Sequence, residues 1–301
     1  MSWILLSVMS AVVLGLYDLL KKMAVKENAV PPVLFFGVVT GAGCWLLLRL
    51  LTPLLPMTWQ NGLSIDALTA AEHGFLFGKG VLVSGSWIFG YFALKHLPMT
   101  IAGPIRSTAP IWTILFAVLL MGEMPTPWQW GGVCLILAAF YAFSLLGKAE
   151  GIVFHRDKWV FFLLVATVLG AFSALYDKFL LQTLGIRVAT LQFWFSVYLV
   201  AVMLPFVLIW RYGMRVRTPF EWRWMIPAVG VGLLIADAFY FLAIAQDDAL
   251  ISVISPIRRT SVIIGFIGGV WILRERHSVA KKGFALALML AGVILLNWKG
   301  Q

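Results

Sequence analysis

Apolar residues fall in ten runs separated by short polar punctuation, at about 3–24, 30–51, 74–94, 99–121, 128–147, 159–182, 189–210, 222–245, 249–272 and 280–298. A helix rises 1.5 Å per residue, so ~20 apolar residues cross the ~30 Å hydrocarbon core of a bilayer. Water is absent at that depth, and only a helix satisfies its own backbone groups within one segment. Each run is therefore predicted to be a membrane-spanning helix. The longer connections are 52–73, with Pro53, Pro56, Asn61 and Gly62, and the stretches 148–158 and 211–221. None is long enough for a soluble domain. Lys21 and Lys22 follow the first run rather than precede it, so it reads as a first span and not a cleaved leader.

Composition agrees with this pattern. Hydrophobic residues make up 61% of the 301 positions and charged residues 12%, against about 25% charged in a soluble domain. The formal charge of +10 would point to nucleic acid in a soluble protein; here most of it sits between spans and is read against the membrane, so no nucleic-acid partner is expected. Cys44 and Cys134 lie inside apolar runs and form no disulfide framework or metal motif. No metal site or cofactor is expected.

The chain repeats itself. Pro104-Ile105-Arg106-Ser107-Thr108 returns as Pro256-Ile257-Arg258-Arg259-Thr260, and Glu123 and Gly131 return as Glu275 and Gly283, all 152 positions later. Leu16-Tyr17-Asp18 returns as Leu175-Tyr176-Asp177 at an offset of 159, the difference falling in the long 52–73 connection. The units are 1–147 and 159–299. Five spans per unit is an odd number, so equivalent helices cross the bilayer in opposite directions, as in the inverted repeats of transporters. The expected fold is an all-α integral membrane protein of ten transmembrane helices, two inverted five-helix repeats around a central cavity.

Basic residues near the membrane surfaces divide unevenly: thirteen on the side of the odd-numbered connections, and Arg49, Arg187 and Lys299 on the side of the termini. The positive-inside rule puts the odd connections in the cytoplasm and both termini outside, in a multi-pass cell membrane protein of the bacterial inner-membrane kind.

Ionisable residues inside spans cost a few kcal/mol each on insertion, so they face polar cavities and find partners. Asp18, Lys21, Lys22, Lys79, Arg106, Asp177, Lys178, Asp237, Arg258 and Arg259 are of this kind. Their depths pair Asp18 with Arg106 near one end of a cavity and Asp177 with Arg258 near the other. These are candidate gates that alternate, or static struts that fix helix packing. Seven of the ten are basic, an excess that an anionic substrate would compensate, although Lys21, Lys22 and Lys79 have stems long enough to snorkel to the interface. Arg106, Lys178, Arg258 and Arg259 are the candidate anion contacts, since guanidinium matches carboxylate or phosphate as a fork and ammonium as a point charge. Tyr17, Tyr176, Trp87, Tyr91 and Tyr240 are the candidate aromatic lining. Asp237 has no charged counterpart in span three, where Gly85 stands, and is a candidate for proton or cation coupling, or else a counter-ion to an arginine. Pro104 and Pro256 are predicted to kink the chain beside the arginines and free carbonyls toward the cavity. Gly131, Gly132, Gly268 and Gly269 suit close helix approach.

The segment Ala93-Leu94-Lys95 to Pro110, followed by Gly122-Glu123, Gln129 and Gly131, resembles the EamA repeat of the drug/metabolite transporter superfamily, and Ala243-Ile244, Glu275, Gly283 and Ala291-Gly292-Val293 keep the order in the second half. The resemblance implies ten helices around a central cavity, alternating access, and substrates that range over amino acids, nucleotide sugars, sugar phosphates and drugs. Lys178 and the basic pair of span nine also resemble phosphate-binding positions of triose-phosphate translocators. The expected function is secondary transport of a small polar metabolite, carboxylate or phosphate among the classes, coupled to protons or a counter-substrate. A lipid or lipid-carrier flippase, or a passive channel, is the alternative. An enzyme is not expected: His73, His96, His155 and His277 fall near span ends without nucleophile or metal spacing, and no nucleotide-binding motif accompanies them.

Overall fold

A computed structural model describes residues 2–121, 126–213, 218–246, 249, 254 and 257–295. Gly122, Glu123, Pro256 and Lys299, used above, lie outside these. The described chain is helical, and no strand occurs in it. In order the helices are α1 (Trp3–Val25), α2 (Val30–Leu51), the short α3 (Met57–Gly62), α4 (Ala70–His96), α5 (Met99–Arg106), α6 (Ala109–Met121), α7 (Pro127–Lys148), α8 (Lys158–Lys178), α9 (Val188–Leu208), α10 (Met225–Ile244), α11 (Ser261–Trp271) and α12 (Val279–Leu295). Among the described residues, seven helices are long and apolar enough to cross a membrane: α1, α2, α4, α7, α8, α9 and α10, the second, fifth and sixth of them extended by a helical turn or two.

Of the remaining three apolar runs, the first two are interrupted within their described residues. Run 99–121 breaks between α5 and α6. Pro104 removes an N–H donor, and the helix ends two residues later. The break is stitched by side chains: Ser107 Oγ donates to the Gly103 carbonyl at 3.1 Å and Thr108 Oγ1 to that of Ile105 at 2.8 Å. Those two carbonyls, beside and after the proline, are thus occupied. Run 249–272 repeats the device, since Thr260 Oγ1 donates to the Ile257 carbonyl at 2.7 Å before α11 begins. The last run is helical over 17 described residues.

Helix starts follow from their caps. Thr69 and Glu72 form a capping box at α4, Thr126 and Gln129 another at α7, and Asp157 accepts two backbone N–H groups at α8. These polar ends sit where the chain meets water and leave the apolar interior of each helix free to pack.

Packing interleaves the first and second parts of the chain. α1 lies along α10 and α4 along α8; α2 packs on α10 and on α9, and α4 on α9. α1 also meets α11, α8 meets α5 and α6, α11 meets α5, and α7 meets α12. Small residues permit the closest of these approaches, as the sequence suggested: a Cβ on Gly268 would stand 2.3 Å from Leu19 Cδ1, and one on Gly292 would stand 2.9 Å from the Gly132 carbonyl. Two buried apolar clusters result. One joins α1, α2, α4, α9 and α10, and the other joins α4, α5, α7, α8 and α12. Between them the inward faces of α1, α4, α8 and α10 are left unfilled.

Candidate functional site

A cavity of about 160 Å³ occupies that space. Its wall runs along α4 from Lys79 to Leu94 and along α8 from Leu163 to Asp177, with Tyr17 and Lys21 of α1, Asp237 and Tyr240 of α10, Arg106 at the end of α5, and Arg258 and Arg259 before α11. Small solutes fit such a space; drug-sized ligands occupy ~300–1,000 Å³.

At one end Asp18 accepts from Arg106 at 2.6 Å and from Lys21, three residues along α1, at 2.7 Å. The predicted contact of Asp18 with Arg106 is therefore present, and it is a triad rather than a pair. Lys21 also lies over the rings of Tyr17 and Tyr91, 4.5 and 5.3 Å from their centroids, and the two tyrosine hydroxyls meet at 3.3 Å. The ring faces return to the desolvated ammonium a part of what it loses in hydration.

The other end departs from the sequence reading. Asp177 is not bound to Arg258; it accepts from Lys79 of α4, whose side chain is only 2% exposed and lies over Phe195 and Phe241. Arg258 instead meets Asp237 at 3.0 Å and stacks on Tyr240, its guanidinium carbon 3.7 Å from the ring centroid. Asp237 and Tyr240 are three apart on α10 and present one face, so together they hold the guanidinium. The physical reason for the exchange is that each unit brings charges with no counterpart in the other. The 152-residue offset sets Lys79 against Val231 and Asp237 against Gly85, and these unmatched charges take up the partners that repeat symmetry assigned to each other. Asp237 thus lies within ion-pair distance of an arginine.

The lysines read as able to snorkel do not. Lys21 and Lys79 are buried in ion pairs, and Lys22 donates to the carbonyls of Leu94 and Leu97, each at 2.6 Å, closing the end of α4. Lys178 and Tyr176 do not reach the cavity. Each residue turns ~100° around the helix, so when Asp177 faces inward its neighbours face elsewhere; Lys178 is half-buried outside the cavity wall, and Tyr176 donates to the Phe75 carbonyl at 3.0 Å and stacks on Phe179. Tyr17, Trp87, Tyr91 and Tyr240 do line it.

Arg259 lines the cavity with no carboxylate within ion-pair distance among the described residues, and its Nε, like that of Arg258, is buried without a hydrogen-bond partner. Five cations, Lys21, Lys79, Arg106, Arg258 and Arg259, thus face three carboxylates, Asp18, Asp177 and Asp237, an excess of two positive charges. Sequence reasoning missed Ser86, Thr167, Gly170 and Ser173 in the wall. Small uncharged residues give no signal of cost in an apolar run, so only their position marks them.

A bundle of apolar helices around a small, charged, aromatic-lined hollow defines a polytopic membrane protein of the solute-handling class. Residues 1–145 match the model of the EamA-like transporter family, in agreement with the resemblance read from the motifs. The chain is 24% identical over 251 residues to the pseudopaline exporter CntI of Pseudomonas aeruginosa, in each of two strains, an alignment covering 83% of this chain and 81% of that protein. A solved crystal structure shares the fold, with a TM-score of 0.65 and 16% identity over 97% of this chain and 96% of that one. The protein is a multi-pass membrane transporter.

Proposed function

We infer that the chain carries a small anionic metabolite, a carboxylate or a phosphate, by alternating access between two inverted five-helix repeats, 1–147 and 159–299, that together cross the bilayer ten times. The pattern of helix contacts supports the repeat. Exchanging the halves turns α1 on α10 into α8 on α4, α2 on α10 into α9 on α4, and α1 on α11 into α8 on α5 and α6, while α2 with α9, α5 with α11 and α7 with α12 map onto themselves. Such an arrangement exchanges its two ends at little cost, since either half can adopt the conformation of the other.

The guanidinium of Arg259, without a carboxylate partner among the described residues, carries the substrate reading. A cation desolvated inside a bilayer protein is costly unless something neutralises it, and a bound anion supplies the missing charge and the missing acceptors together. The paired charges at the two ends, Asp18 with Arg106 and Lys21, and Asp177 with Lys79, are the groups that gate the hollow. Export is the direction favoured by the similar Pseudomonas proteins. No covalent chemistry is involved, and the odd-numbered connections are cytoplasmic with both termini outside.

Thermal stabilisation of the purified protein tests the reading. Small carboxylates or phosphates at about a hundred times their dissociation constant add ~2.7 kcal/mol to stability, and the Arg259→Gln variant loses that gain. Stabilisation by neutral or cationic metabolites alone, with none by anions, overturns it.

A further inference from the structure

The turn between α4 and α5, Leu94 to Thr100, is held by three charged side chains from elsewhere in the chain, one of them braced by a fourth, and none of them enters the cavity. Glu275, in the connection between α11 and α12, accepts the first backbone N–H groups of α5, from Met99 at 2.7 Å and Thr100 at 2.8 Å. Lys282 of α12, 1% exposed, donates to Thr100 Oγ1 at 2.9 Å and to Glu150 at 2.6 Å. Lys22 of α1 holds the carbonyls of Leu94 and Leu97 on the other side of Pro98. The seat has no room to spare: a Cβ on Gly269 would stand 3.1 Å from Glu275 Oε2 and 3.2 Å from Thr100 Cγ2.

We propose that Glu275 is the latch that keeps the cavity closed on the side of the odd-numbered connections, and a positioning residue for Arg106. α5 is only 8 residues long; Glu275 grips its first turn, and Arg106 is its last residue, reaching Asp18 across the cavity end. Whatever frees the first turn moves the last. A carboxylate at a helix N-terminus makes charge-assisted bonds to orphan N–H groups and is favoured by the helix dipole, so the latch is strong when seated. Water can replace those bonds once the end opens, which makes it reversible. Lys282 and Glu150 guide the same turn, and Lys22 fixes α1 to it, so that the movement of α5 and that of α1 are one event. The inference rests on the alternating-access reading and is independent of the charge of the substrate.

Thiol accessibility reads the latch without any substrate. The reporter is Ala174→Cys, a small side chain in the cavity wall, in a chain with Cys44 and Cys134 replaced by alanine, labelled with a membrane-impermeant maleimide in right-side-out and in inverted vesicles. Glu275→Gln keeps the shape but removes the charge; we expect labelling from the odd-connection side to rise at least threefold and labelling from the opposite side to fall. Thr100→Val, which breaks only the bond to Lys282, shifts labelling the same way by a smaller factor. Unchanged labelling from both sides in Glu275→Gln, with the protein monodisperse and its melting temperature retained, overturns the proposal. So does a rise in labelling from both sides together, which marks a loosened bundle. If anions fail to stabilise the protein but the labelling shifts, the substrate reading falls and the latch stands.

Discussion

Asn28 and Arg187 are separated by 159 positions, the offset that relates Asp18 to Asp177, and each fastens a long connection arriving from the other part of the chain. Asn28 exchanges two hydrogen bonds with the backbone of Glu221, at 2.8 and 2.9 Å, and also binds the Ala24 carbonyl and the Ala29 N–H. Arg187 donates to the Asn61 carbonyl, to Ser64 and to Asp66. The chemistry of the two positions differs although their task is the same, because Asn28 is fully buried and Arg187 is close to half exposed.

That difference predicts unequal effects of truncation. Asn28→Ala removes the four hydrogen bonds of a fully buried side chain and should lower stability by about 2 kcal/mol or more. Arg187→Ala removes a solvent-screened contact and should cost about 0–1 kcal/mol. Unfolding of both variants in the same detergent decides this, and a larger loss in Arg187→Ala contradicts it.

The exchanged partners at the second cavity end make a direct test of pairing. Swapping Lys79 and Asp177 should restore part of the stability and transport lost in either single neutralisation, because each single change strands a buried charge at about 3–5 kcal/mol. Swapping Asp177 with Arg258 should restore neither. A double-mutant cycle on melting temperature measures the coupling.

Adjacent arginines should respond in opposite ways. Arg258→Gln strands Asp237 and is expected to destabilise the protein strongly. Arg259→Gln strands no carboxylate and removes an uncompensated cation, so stability is held or raised while anion uptake into proteoliposomes falls at least tenfold. Equal loss of stability in the two variants refutes the assignment of Arg259 as the unpaired charge.

Orientation is open to a simple measurement. Single cysteines placed at His155 and at Gly185 should label from opposite sides of the membrane, with His155 reached only in inverted vesicles. The reverse pattern inverts the cytoplasmic assignment and leaves the cavity chemistry as it stands.

Much of the bundle was legible before any coordinates. Apolar length alone marks a span, because hydrocarbon offers the backbone no other partner, and α1, α2 and α4 run within a few residues of the ranges read from hydropathy. The Asp18 contact with Arg106 was also legible, since two buried opposite charges at one depth have few other choices. The partner of Asp177 was not. Lys79 and Arg258 stand at similar depth, and depth does not say which helix is adjacent.

The sequence by itself determined that this protein lives in a membrane, that its chain repeats, and that it keeps more positive than negative charge inside. Those properties are set by local composition and spacing, which act through solvation energy residue by residue. The tertiary structure decided which cation each cavity carboxylate holds, that Lys178 and Tyr176 face away from the cavity while Arg259 faces it with no carboxylate partner among the described residues, and that Glu275 reaches the first turn of α5. Such choices depend on the rotation and neighbours of each helix, fixed by packing between segments that the linear pattern does not place side by side, as with Lys79 and Asp177, 98 residues apart.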